Sequence, residues 1–334
     1  MLHIEQNNLL LQNTLSERLF PDAELNSSGK SLDRIVSDFD FTTFHISTLS
    51  DRNLILISIY LRCWDDLTKY DAVNYLTSKY SKFSSSLTVL TGGDIESGYN
   101  FSIVLNVQQA IEQQSEEERK ELIDELSLLK RHAMAAPFEK AFARYDELSQ
   151  HYANSNTYSE EVQQELFKEP VLVVKYRGVD ESIYLKPSFD RVTMIFSTIF
   201  QDETDKIFGK VFLQEFVDAR KRSVQTAPQV LYSHGEAPLD ISSVVKTGAV
   251  DDNKGYITFV LFPRHLVKGD KRNNCISHIE LFRSYFHYHI KCSKAYMHSR
   301  MRFRVKEFLK ILNRAKPENT VQRKTASGRR FDRY

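Results

Sequence analysis

Residues 274–316 read NCISHIELFRSYFHYHIKCSKAYMHSRMRFRVKEFLKILNRAK, some forty residues with neither Gly nor Pro, stopped by Pro317. Ile279, Phe282, Phe286, Ile290, Met297, Met301, Val305, Phe308 and Leu312 recur at steps of three, four or seven, the spacing of one helical face. At ~1.5 Å per residue the helix is roughly 60 Å long. A compact domain of ~150 residues is only roughly 40 Å across. The apolar stripe therefore runs past what its own domain can cover. Burying a Phe, Leu or Met contributes about 1.5–3 kcal/mol, and several left in water invite aggregation. A partner, or a second copy of the chain, is expected to cover that end.

The two halves of this helix differ in composition. From Leu281 to Tyr296 a second apolar set (Leu281, Tyr285, Tyr288, Cys292, Tyr296) lies on nearly the opposite side, so this half is expected to be enclosed on most faces. From Arg300 to Lys316 the other positions turn basic: Arg300, Arg302, Arg304, Lys306, Lys310, Arg314 and Lys316 stand against Glu307 alone. A solvated face with cations favoured near a helix C-terminus explains any one of them. The density of one sign points further, to a strip that faces an acidic partner.

Composition sets wide bounds. A length of 334 residues suggests two domains, and a net charge of +1 argues against a dedicated nucleic-acid binder. Cys63, Cys275 and Cys292 are widely spaced and odd in number, which offers no disulfide framework or metal pair; they read as reduced core thiols in the cytosol. The start, MLHIEQNNLLLQNTL, lacks the flank and apolar run of a signal peptide, and no window approaches the twenty apolar residues of a membrane span.

Along the chain, Leu11, Leu15 and Leu19 mark a short opening helix stopped by Pro21. Gly29-Lys30-Ser31 in the loop 21–33 resembles the end of a phosphate-binding loop, but Glu24 stands where that motif needs glycine. Strands are expected at Arg34–Phe39, Thr43–Leu49 and Asn53–Arg62, then a helix from Trp64 to Tyr80. Two more strands follow near Leu87–Leu90 and Tyr99–Val107, joined through turns at Gly92-Gly93 and Gly98. A helical region from about Ser115 to Gln150 should kink or split at Pro137. The second half repeats this order, with strands at Val171–Tyr176, Ser182–Lys186 and Arg191–Phe200, and a helix from about Thr204 to Lys221. Strands at Gln229–His234 and Tyr256–Phe262 precede the long helix. Asp51-Arg52 before one central strand echoes Asp190-Arg191 before the other, and Gly98-Tyr99 echoes Gly255-Tyr256.

The expected fold is therefore α+β: two similar tandem domains, each an antiparallel sheet packed on a long helix, the second ending in a very long C-terminal helix. The first domain covers 1–150, a linker 151–169, the second domain 170–316, and a basic flexible tail 317–334. The tail is almost free of aliphatics and cannot bury enough to fold by itself.

Catalytic and metal chemistry finds little support. His278, His287, His289 and His298 cluster on the long helix, but His287 and His289 are two apart and point away from each other. HExxH, GxSxG, GxGxxG and EF-hand patterns are absent, and the acid pairs Asp202/Glu203 and Asp251/Asp252 fall in expected turns. No metal and no cofactor is implied.

Longer strings carry a family resemblance: DRVTMIFSTIFQD (190–202), GKVFLQEF (209–216), TAPQVLYSH (226–234), GYITFVLFPRH (255–265), SYFHYHIKCSKAYMHSRMR (284–302) and FLKILNRAKP (308–317). With FDFTTFHIS (39–47) and SGYN (97–100) in the first half, the chain resembles the subunit 2 family of the actin-related protein 2/3 complex, the assembly that nucleates branched actin filaments. The resemblance implies a non-enzymatic scaffold in the cytoplasmic, cortical actin cytoskeleton. It also implies pairing with subunit 4 through long C-terminal helices, other subunits as further partners, and contact with the mother actin filament. Fitted to that pairing, Met297, Met301, Val305, Phe308 and Leu312 are the residues expected to pack on subunit 4. The filament surface is acidic, so Arg300, Arg302, Lys310 and Arg314 are the filament-facing candidates, with Arg220, Lys221 and Arg222 as weaker ones. The competing reading is a module for nucleic acid or another acidic polymer, built on the basic helix end and tail; it lacks a recognition motif.

Overall fold

The computed structural model describes residues 5–21, 31–153, 159–178, 181–245 and 252–314. The tail expected at 317–334, most of the loop 21–33 with Gly29 and Lys30, and Asp251 lie outside the described residues. Elements follow in chain order as α1 (Leu9–Leu19), β1 (Asp33–Asp38), β2 (Thr42–Thr48), β3 (Leu54–Leu61), α2 (Trp64–Thr68), α3 (Ala72–Tyr80), β4 (Leu87–Leu90), β5 (Phe101–Asn106), α4 (Val107–Gln113), α5 (Glu116–Ser127) and α6 (Leu129–His151). The second half runs α7 (Glu160–Lys168), β6 (Leu172–Val174), β7 (Ile183–Pro187), β8 (Val192–Ile199), α8 (Glu203–Arg222), β9 (Gln229–His234), β10 (Lys254–Leu261) and α9 (Asp270–Arg314).

Two five-stranded sheets carry the same spatial order, β1-β2-β3-β5-β4 and β6-β7-β8-β10-β9, with every pairing antiparallel. The third strand of each set is the central one, and the residues of both are almost all buried. The Asp-Arg pairs before β3 and β8 thus stand at equivalent points of two copies of one plan. By its own contacts the chain forms one compact unit up to His287 and a second that begins at Tyr288.

Within the first unit, Phe44, Ile46, Ile57, Ile59, Ile103 and Leu105 fill the buried side of the first sheet. α1 lays Leu11, Leu15 and Leu19 against α5, each fully buried. α6 lies against α2 and α3 of the first half and also against β6, β7 and β8 of the second. Polar pins join the halves at this seam. The Tyr70 hydroxyl accepts from the Val173 amide at 2.7 Å and donates to its carbonyl at 3.1 Å, and Asp66 accepts from the Lys175 amide at 2.9 Å. Arg131, buried on α6, donates to Ser277 Oγ at 3.0 Å and the Asn273 carbonyl at 2.9 Å at the start of α9. On the second sheet Phe196 and Phe259 receive Phe282 of α9 at ring separations of 5.7 and 4.6 Å, while α8 brings Phe212 to 5.6 Å from Phe286.

Three local expectations change. The helix expected over 64–80 is two helices, because Asp71 adopts a left-handed backbone (φ 68°) between them. The long helical region 115–150 breaks at Leu128, not at Pro137. The Ser127 hydroxyl bonds back to the Asp124 carbonyl at 2.7 Å there, while Pro137 sits buried inside a continuous α6. Asp202 and Glu203 are not in a turn: Asp202 caps α8, accepting from the Asp205 amide at 2.8 Å. Two short helices had no sequence expectation. α4 begins where the Asn106 side chain accepts from the Gln109 amide at 3.0 Å. α7 begins at the Ser159 cap, and its Leu166 packs with Leu148 and Tyr152.

Candidate protein-interaction surface

From Ile290 onward α9 changes character. Ile290 is 2% exposed, yet every residue from Lys291 to Arg314 is exposed except Lys294 and Glu307, which are half-buried. The long helix itself forms because forty-five successive residues offer no breaker. Its apolar stripe is bare: Met297 47%, Met301 61%, Val305 56%, Phe308 61% and Leu312 47% exposed. These are the residues the sequence spacing picked out for packing on a partner, and the helix keeps them on one face.

The enclosure expected as far as Tyr296 ends earlier. Cys292 is exposed and so is not a core thiol, and Tyr296 is exposed as well. Cys63 is buried and Cys275 half-buried, and burial pushes both thiols up to about 12, which keeps them protonated and unreactive. Tyr285 and Tyr288 of the same set are half-buried.

The basic side chains of this segment fall into paired and unpaired groups. Arg300 donates to the Tyr296 hydroxyl at 2.8 Å with its guanidinium over the ring at 5.6 Å. Lys310 is 2.8 Å from Glu307. Arg302, Arg304, Lys306 and Arg314 have no ion-pair partner among the described residues, and all four are exposed. Water screens such charges individually, but a row of one sign on one helix keeps a collective field at short range.

Arg220, Lys221 and Arg222 close the last turn of α8, where cations are favoured by the helix dipole. Arg220 Nε donates to the Ala227 carbonyl at 3.1 Å, and Arg222 lies 3.6 Å from Glu215, so two of the three are already engaged locally. Together with Lys210, Arg220 and Lys221 edge a groove of about 330 Å³ between α8 and β9.

The histidines do other work. His287 Nε2 lies 2.8 Å from Thr198 Oγ1, and His278 Nδ1 is 2.6 Å from the Asn274 carbonyl. His132 on α6 is held neutral at about 2, first by burial and then by Lys79, Arg131 and Lys82 nearby, so its 3.3 Å approach to Glu125 is no ion pair. Among the described residues no three His, Cys, Asp or Glu side chains come together as a metal site, and no described helix is long and apolar enough to cross a membrane.

Residues 57–319 match the family model described as Arp2/3 complex, 34 kD subunit p34-Arc. The chain is 43% identical to actin-related protein 2/3 complex subunit 2 of Schizosaccharomyces pombe, over 100% of both chains. It is 34% identical to the protein of the same name from Dictyostelium discoideum, over 99% of both.

Proposed function

This chain belongs to the Arp2/3 complex 34 kD subunit family, and from that membership we propose how it works as a structural, non-enzymatic subunit of the complex in the cytoplasmic actin cytoskeleton. The uncovered stripe of α9 pairs with subunit 4, and the cations of the same segment, drawn from Arg300, Arg302, Lys310 and Arg314, dock on the acidic side of the mother filament. Arg220, Lys221 and Arg222 supply a secondary contact. The site of action is the cortical actin network, where branches form. The two copies of the sheet plan support a division into domains 1–150 and 170–316.

The observation that carries this reading is the exposure of five regularly spaced apolar side chains on a helix whose sequence forms it without a break. A monomer gains nothing from such a stripe; a partner helix that covers it gains about 1.5–3 kcal/mol per large side chain. Phe308→Asp places a charge in that contact and is expected to reduce the yield of intact complex at least tenfold in co-expression and native purification. A normal yield would refute the pairing. Arg302→Glu with Lys310→Glu is expected to leave assembly intact and weaken filament co-sedimentation several-fold, with the wild-type binding itself falling as salt rises. Co-sedimentation equal to wild type would remove those two residues from the filament contact.

A further inference from the structure

Phase along α9 sorts its exposed side chains into strips. At about 100° per residue, Met297, Met301, Val305, Phe308 and Leu312 fall within an arc of about 80°. Tyr296, Phe303 and Ile311, seven and eight residues apart, form a second apolar row centred about 120° around the axis from the first. They are 61%, 60% and 62% exposed, as bare as the first row. One helix packed against another buries a single stripe roughly 100° wide. A partner seated on the first row therefore leaves the second in water.

Charge says what kind of surface fits there. Arg300, already braced on the Tyr296 ring, and Arg314 lie within this second row, and Arg304 lies between the two rows. The one acid among them, Glu307, is engaged by Lys310. A second copy of this chain would bring like charges together. So would the chain's own residues 317–334, which hold five Arg and Lys against two acids. On the remaining side Ser299, Arg302, Lys306, Lys310 and Asn313 follow one another at steps of three and four, with the exposed Leu309 at the edge next to the first row.

We propose that a second protein surface, apolar with acidic residues set around it, seats on the Tyr296–Phe303–Ile311 row, so that α9 is gripped on two adjoining sides and faces the filament through the Arg302–Lys306–Lys310 strip alone. This rests on the pairing of the first row with subunit 4. It divides the cationic candidates: Arg300 and Arg314 serve assembly, Arg302 and Lys310 serve the filament, and Lys306 joins the latter.

The test uses the intact complex with p-benzoylphenylalanine in place of Phe303 or of Phe308, photolysed and mapped by mass spectrometry. The adduct from position 308 is expected on subunit 4. The adduct from position 303 is expected on a different segment that carries Asp or Glu. An adduct from position 308 that misses subunit 4 defeats the pairing, whatever position 303 shows. Position 303 adducts on the same segment as position 308, on a second copy, on residues 317–334, or on nothing would overturn the second grip. In parallel, Arg300→Glu with Arg314→Glu should lower the yield of intact complex several-fold, while Arg302→Glu with Lys306→Glu should leave that yield at the wild-type level. The latter pair should weaken filament co-sedimentation several-fold. Equal losses from the two pairs would overturn the division of cations.

Discussion

Glu181 and Glu280 are two shielded carboxylates with opposite fates. Glu181 is 7% exposed and receives Arg283 at 2.9 Å on each oxygen, Arg177 at 2.8 Å and the Thr198 hydroxyl at 3.0 Å. Burial raises its pKa, but Arg283, the Ile199 amide and Arg177 outweigh it, so the group stays ionised below the usual Glu range. Glu280, one turn earlier on α9, has a buried oxygen with no hydrogen-bond partner among the described residues. Burial pushes it up to about 7; Lys130 and Arg131 on α6 pull it down, while Asp38 and Asp40 push it up. The folded chain therefore keeps a proton that the unfolded chain releases above the ordinary Glu pKa. Stability falls as pH rises from there to about 7 and then levels off. Glu280→Gln removes that penalty, so it is expected to stabilise the chain by roughly 1–3 kcal/mol at pH 8. The gain should shrink towards zero below pH 4, in thermal unfolding followed at several pH values; a gain independent of pH would mean that the carboxylate is ionised in the fold. Nothing in the string IELFR distinguishes Glu280 as short of partners, because those partners come from residues far away in the chain.

At the scale of elements, much of the plan was legible. Periods of two and of three to four residues located all ten strands and the principal helices, and the Asp-Arg echo pointed to the duplication seen in the two matching sheet orders. Helix breaks were less legible. Pro137 reads as the breaker, yet α6 runs through it, and the break falls at Leu128, where side-chain back-bonding ends α5. Short capped helices such as α4 and α7 have too few residues for their period to stand out from loops. Close packing between elements was invisible in the sequence. A Cβ on Gly209 of α8 would lie 2.8 Å from the Phe200 ring and 3.0 Å from Phe286, so this glycine sets how closely α8 approaches α9. Gly209→Val is expected to destabilise the chain by about 2–3 kcal/mol despite removing a helical glycine, measured as a lowered midpoint in denaturant. An unchanged midpoint would show that the aromatic cluster yields easily.

At the scale of the molecule, spacing along α9 picked out an apolar stripe that the structure leaves exposed, but misjudged where shelter stops. Sequence period shows which side chains share a face and not how far neighbouring structure reaches along it, so it gives no sign that Cys292 and Tyr296 lie beyond the shelter. The second apolar row went unread for a related reason: its members are seven and eight residues apart and interleaved with arginines, which hides them in any short window. The bare end of α9 also bears on supply. A helix that carries unshielded Met, Phe, Leu and Ile side chains along its length is safe only while something holds it. If the proposed pairing holds, ribosomes that outpaced production of its companions would turn out not spare parts but orphans bound for clumping or disposal, and the abundance of this chain would follow theirs.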